Sequence, residues 1–206
     1  IQKLITTAAA LELLGPEYRF TTRLGYTGSL DNKSGHLTGN IIIKGGGDPA
    51  LGSAFFKDHY GDFMNSWINE IKRLGIKKVV GKVIADDSRY DFQPVPAKWL
   101  WEDLGNYYGA GAYGLSAFDN MYEIHFRTSE EGSIPLIIKF VPEICRQEYS
   151  NFLTASGNTD KGYVFAAPYS NYGWMDGTIP SGREDFILKA AITDPPLLIA
   201  EIIYSL

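Results

Sequence analysis

Cysteine is almost missing. Cys145 is the only one in 206 residues, which excludes an internal disulfide and any zinc site built on cysteine. Histidine is nearly as scarce: His36, His59 and His125 lie far apart, without the paired spacing of a zinc-binding helix, so no metal is expected. His125 falls in an alternating stretch and reads as a surface or packing residue. A basic excess is absent too, since 19 Lys and Arg face 24 Asp and Glu for a net charge of −5. With its cations scattered rather than blocked, the chain shows no nucleic-acid footprint. No apolar run reaches the roughly 18 residues of a membrane span. The longest, from Pro195 to Leu206, is broken by Glu201. There is no charged-then-apolar leader, and the chain opens on Ile rather than Met, so it is expected to start partway into a longer protein.

What is present is an ordinary globular composition, 45 % hydrophobic and 21 % charged, with an unusual aromatic share. The 13 Tyr, 11 Phe and 4 Trp point to β-rich structure or to a carbohydrate- or peptide-binding surface, and composition alone leaves both open.

Patterning predicts an α+β chain with a helix at each end. From Ile1 to Leu14 the residues are apolar almost all the way round a helical wheel, as in a helix wrapped on every side. Gly15-Pro16 ends it. Its packing partners are therefore expected to lie partly outside these residues, leaving apolar surface on the terminal helices. Strands are expected at 18–26 and 36–44, a helix at 63–74 and a strand at 79–85. Further strands are expected at 121–127, 134–141, 162–167 and 184–190. Asp194-Pro195 has the signature of a helix start, with Asp as cap and Pro in the first turn.

Between Asp91 and Gly114 the texture changes. Trp99, Trp101, Tyr107, Tyr108 and Tyr113 stand among glycines and prolines in a stretch too irregular for a regular element, and long loops of this kind are commonly functional. Asp103 sits among those rings, where a carboxylate and π-faces together suit an amine-bearing ligand. Other motifs fail on chemistry. Gly45-Gly46-Gly47 lacks the spacing of a phosphate loop. Gly114-Leu115-Ser116-Ala117-Phe118 puts Phe where a nucleophile elbow needs Gly. Adjacent acids such as Asp86-Asp87 and Glu130-Glu131 point apart and do not form an acid/base pair, the latter reading as a solvated turn.

The segment Ile1-Gln2-Lys3-Leu4-Ile5-Thr6-Thr7-Ala8-Ala9-Ala10-Leu11 resembles the nucleophile helix of the serine D-Ala-D-Ala carboxypeptidases related to penicillin-binding protein 4. The likeness continues in order through Leu14 to Thr22, Leu37-Thr38-Gly39-Asn40, Gly46-Gly47-Asp48-Pro49, and Gly81 to Asp86. It resumes at Trp99-Leu100-Trp101-Glu102-Asp103 and at Gly182-Arg183-Glu184-Asp185. The resemblance implies a transpeptidase-like domain split by an insertion: 1–25 would be its nucleophile-helix part, 26–185 the inserted α+β region and 186–206 the return.

The same resemblance implies that Lys3 is the lysine of Ser-x-x-Lys, with the serine just before Ile1. It further implies that Asp103 and Tyr108 hold the free-amine side chain of a peptidoglycan stem peptide, a role into which Tyr107 could slide. No cofactor is implied. Peptidoglycan peptides would be the partners, β-lactams the inhibitors and a periplasmic or otherwise extracytoplasmic compartment the location. Ser156-Gly157-Asn158 and Tyr169-Ser170-Asn171 match the family's later motif only literally, and residues 156–162 read as a polar turn. Without the serine this chain alone is expected to be inactive, and the rival expectation is a non-catalytic module that binds cell-wall peptides or a protein.

Overall fold

The structure, a computed structural model, describes residues 2–56, 62–143 and 146–205; His59 and Cys145 lie outside them. It is an α+β fold of short sheets and few helices. Helix α1 (Gln2–Leu14) ends at Gly15 as its sequence predicts. The expected strand at 18–26 shortens to β1 (Arg23–Tyr26), followed by β2 (Ser29–Asp31).

The run 36–44 divides into β3 (His36–Thr38) and β4 (Ile41–Lys44), and the run 79–85 into β5 (Lys78–Val80) and β6 (Val83–Asp86). Both divide for one reason: each run serves two sheets. β3 lies between β2 and β5, while β4 lies between β1 and β6, so each chain crosses from one sheet to the next at its break. The crossing is tight at Gly28 and Gly39. A Cβ on Gly28, whose φ is +89°, would lie 2.0 Å from the Thr38 carbonyl oxygen, so only glycine fits.

Helix α2 (Phe63–Arg73) covers the β1-β4-β6 sheet, as its spacing of Phe63, Trp67, Ile68 and Ile71 predicts. Strand β7 (Met121–Arg127) pairs with β8 (Leu136–Val141) and with β13 (Phe186–Ala191). The remaining sheet centres on β12 (Tyr172–Ile179), with β11 (Lys161–Ala166) antiparallel on one side. On its other side run β9 (Glu148–Asn151) and then β10 (Thr154–Ala155), both parallel to it. Three strands here were not expected from the sequence: β9, β10 and β12. The expected polar turn holds for 156–160, but Lys161 and Gly162 belong to β11.

Two cores result. Tyr122, Ile124, Phe126, Val164, Met175 and Leu188 fill the space between the β7 and β12 sheets. Ile43, Phe63, Leu115 and Ile199 fill the space between β4, α2 and the last helix, α4 (Pro195–Ser205). Asp194 caps α4 as expected, accepting the Leu197 N–H at 3.0 Å. The expectation of exposed apolar surface on both terminal helices is corrected for α4, which is largely buried, whereas no residue of α1 is buried.

Candidate functional site

The aromatic loop is more ordered than its composition suggests. Trp101–Leu104 forms a single helical turn, α3, and Tyr107–Gly109 a 3-10 turn. Glycine makes this packing possible: a Cβ on Gly105 would meet the Val164 carbonyl oxygen at 2.1 Å, and one on Gly109 the Asp103 carbonyl oxygen at 2.0 Å.

The pin is Asn106, only 3 % exposed. Its side chain accepts the Val164 N–H at 3.1 Å and donates to the Glu102 carbonyl at 2.6 Å, while the Ala191 N–H donates to the Gly105 carbonyl at 3.0 Å. The loop is therefore fastened to β11 and to the end of β13, and a buried amide with satisfied partners fixes its position. Asn106 is a residue that sequence reasoning missed. Its one signal was a polar residue flanked by Gly105 and Tyr107 in a stretch already marked by its aromatics.

On this support stand Asp103, half-buried, and Tyr108, 54 % exposed. The Tyr108 hydroxyl is pushed above the ordinary phenol range by partial burial first and by the Asp103 charge second, with Tyr163 and Glu102 adding to it. A phenol held protonated beside a carboxylate presents a donor and an acceptor to one ligand, which suits an ammonium group flanked by an acceptor of its own. Tyr107, edge-on to Tyr108 at 5.3 Å between ring centroids, is equally exposed at 53 %.

Lys3 stands apart. It lies in the first turn of α1, where its carbonyl accepts the Thr7 hydroxyl at 2.8 Å. Among the described residues no ion pair or hydrogen bond ties its side chain to Asp103 or Tyr108.

Other sequence features resolve into structural roles. Ser116 is buried and donates to the Tyr113 carbonyl at 3.1 Å, so it is not presented as a nucleophile. His125 is a packing residue, 6 % exposed, with Nδ1 2.7 Å from Asp185 and Nε2 3.6 Å from Glu123. Glu131 is more than a solvated turn: it accepts from Ser156 and from the Gly157 N–H, and these bonds hold its carboxyl below the usual range. Among the described residues no group of three His, Cys, Asp or Glu converges as metal ligands, and no helix is long and apolar enough to cross a membrane.

This architecture is shared with part of a solved penicillin binding protein. The solved structure of penicillin binding protein 4 (dacB) from Haemophilus influenzae superposes with a TM-score of 0.75 at 24 % identity, over 99 % of this chain and 43 % of that one. The same protein complexed with a novel beta-lactam superposes with a TM-score of 0.65 at 22 % identity, over 99 % of this chain and 41 % of that one.

Sequence carries the assignment further. The D-Ala-D-Ala carboxypeptidase 3 (S13) family matches residues 1–205, and the chain belongs to it. The D-alanyl-D-alanine carboxypeptidase DacB of Haemophilus influenzae is 33 % identical over 103 residues, 50 % of this chain and 19 % of that protein. A D-alanyl-D-alanine carboxypeptidase of Actinomadura sp. is 30 % identical over 114 residues, 55 % of this chain and 19 % of that protein. The chain spans about two fifths of the solved relative it matches.

Proposed function

We propose that these residues form part of a serine D-Ala-D-Ala carboxypeptidase or endopeptidase that cleaves peptidoglycan stem peptides in an extracytoplasmic compartment. The observation that carries the reading is that Asp103 and Tyr108 share one loop, folded so that Gly109 packs on the Asp103 carbonyl and pinned to β11 by Asn106, in a member of this family. In this reading 1–25 and 186–206 belong to a split transpeptidase-like domain, and 26–185 is inserted between them. The Asp103 carboxylate takes the free amine of the stem peptide, and the Tyr108 hydroxyl bonds the group beside that amine.

The serine preceding Ile1 attacks the D-Ala-D-Ala carbonyl, and Lys3, one helical turn on, accepts its proton. Backbone N–H groups hold the oxyanion, and the terminal D-Ala leaves with a returned proton. Water then hydrolyses the ester, whereas a β-lactam in place of the peptide leaves the serine acylated. The base role needs a packed α1. Every described residue of α1 is exposed here, which supports inactivity of the 206 residues alone.

A fluorescent penicillin tests this on the full-length gene product, its Lys3→Ala variant and the 206-residue chain. Label should enter the full-length protein alone, and Lys3→Ala should slow it by roughly 100- to 10,000-fold, the usual scale for removing a general base. Asp103→Asn should raise KM for an amine-bearing stem peptide by roughly tenfold, since a hydrogen bond to a charged group is worth about 1.5–3 kcal/mol. The same peptide acetylated on that amine should be far less affected. A full-length protein that takes no label at high drug would refute the enzyme and leave a peptide-binding module.

A further inference from the structure

Beside the Asp103 loop, the outer face of the sheet carries a run of aromatic rings that the proposed reaction leaves unused. Side chains alternate along β11, so Val164 and Ala166 are buried while Tyr163 and Phe165 face outward. On β12, Met175 is buried and Trp174 faces outward, directly across from Phe165. The Phe165 and Trp174 rings stack at 5.3 Å between centroids with 14° between planes. Tyr163 continues the run at 6.3 Å from Phe165, and Trp101 of α3 closes its other end at 5.9 Å from Trp174. The ends are open to solvent: Trp101 is 46 % exposed and Tyr163 41 %. Asp103 and Tyr108 follow Trp101 on the same loop, which Asn106 fastens to Val164 of β11, so the strip adjoins the candidate amine site.

A contiguous run of four rings, exposed at both ends and half-buried between them, marks an interaction surface. The strip lies across a sheet face rather than in the concave pocket a small ligand requires, so its shape suits an extended polymer. Its charge rules against a nucleic acid, because Glu102, Asp103 and Asp176 outnumber Lys161 there. Pyranose rings fit both halves of the surface. Their C–H faces lie on the negative faces of aromatic rings, and their hydroxyl and amide N–H groups donate to carboxylates.

We propose that this strip is a saccharide subsite, on which a glycan strand of N-acylated hexopyranose rings lies across Tyr163, Phe165, Trp174 and Trp101 while its peptide branch reaches Asp103. The inference rests on the stem-peptide reading above, which supplies the polymer.

The test titrates full-length protein with a hexamer of N-acetylglucosamine, read by tryptophan fluorescence and calorimetry. Wild type should bind saturably, and Trp174→Ala and Tyr163→Ala should each weaken binding by roughly tenfold, the order expected for one stacked ring. Melting curves show whether each variant is folded. Should Trp174→Ala fail to fold, Tyr163→Ala, at the exposed end, decides. A wild type that ignores the hexamer, including one in which other residues cover the strip, overturns the proposal, and so does binding indifferent to both substitutions. Penicillin labelling of the wild type, run in parallel, separates the two readings. Hexamer binding without labelling removes the enzyme and keeps the subsite, and labelling without hexamer binding does the reverse.

Discussion

Helices α1 and α4 are both short and apolar, yet one is bare and the other buried. In α1, Leu4 is 74 % exposed and Leu13 82 %. In α4, Leu198 is 4 % exposed and Ile199 0 %, packed into the two larger cores and against β6. Propensity does not separate them, because Ala- and Leu-rich α1 is the better intrinsic helix and α4 begins with two prolines. What separates them is the availability of partners. α4 finds β4, β6 and α2 within the same chain, whereas α1 meets no apolar surface among the described residues. Burial is thus a property of a helix and its surroundings, and an all-round apolar helix is a statement about a neighbour that has to exist.

Four experiments test how far burial and capping set these helices and their surroundings apart. Ile199→Ala should have the largest effect, about 2–5 kcal/mol of lost stability, because it empties a site enclosed on all sides. Leu13→Ala in the same 206-residue chain should fall within about 0.5 kcal/mol, as exposed substitutions do. Urea denaturation reads both, and equal costs would dissolve the contrast.

Next comes the cap. Asp194→Ala should cost about 0.5–2 kcal/mol by releasing the Leu197 N–H, whereas Asp194→Asn keeps an acceptor and should cost less. The Asp194 carboxyl is raised, chiefly by burial, so the folded chain holds its proton more firmly than the unfolded chain. Its contribution is therefore most favourable at pH below the unfolded value near 4 and weakens as pH rises through the folded value. Asp194→Asn should flatten that slope in melting curves taken from pH 3 to 7.

Glu131 has the opposite sign and a smaller reach. Its carboxyl is lowered by the Ser156 and Gly157 bonds, so its contribution is present above the unfolded value and lost on acidification. Glu131→Gln should make the chain slightly less sensitive to acid. Smallest in stability is Leu13→Lys, which should leave the melting temperature almost unmoved while reducing binding of an apolar dye. Undiminished dye binding would place the open apolar surface elsewhere.

Legibility followed the range of the forces involved. β7 was readable to the residue because alternation, Met121 to Arg127, is a local signal. The helix start at Asp194-Pro195 was equally local, since a cap needs only its own first turn. β12 was missed because Tyr172–Ile179 holds two glycines and an aspartate, poor strand formers. It is a strand because β11, β9 and β10 all pair with it, and none of those bonds shows in its own sequence. The breaks in 36–44 and 79–85 were hidden for the same reason: the change of sheet is decided by partners 42 residues away.

The candidate site divides likewise. Asp103 and Tyr108 were legible as an acid and a ring in one unusual stretch, and as positions in a resembling family. Asn106, which fastens that stretch, was not, because its meaning lies in Val164, 58 residues along. The aromatic strip was less legible still, since Trp101 and Trp174 are distant in sequence and adjacent only across the fold.

Local signals were enough for the family, the α+β class, the end of the first helix at Gly15, the start of the last at Asp194 and the residue types offered to a ligand, because periodicity, caps and motifs act over a few residues. Which apolar helix is covered, which stretches divide between sheets and which rings form one surface emerged from long-range packing alone. Those outcomes depend on hydrogen bonds and buried area shared between segments that meet only after the chain has folded.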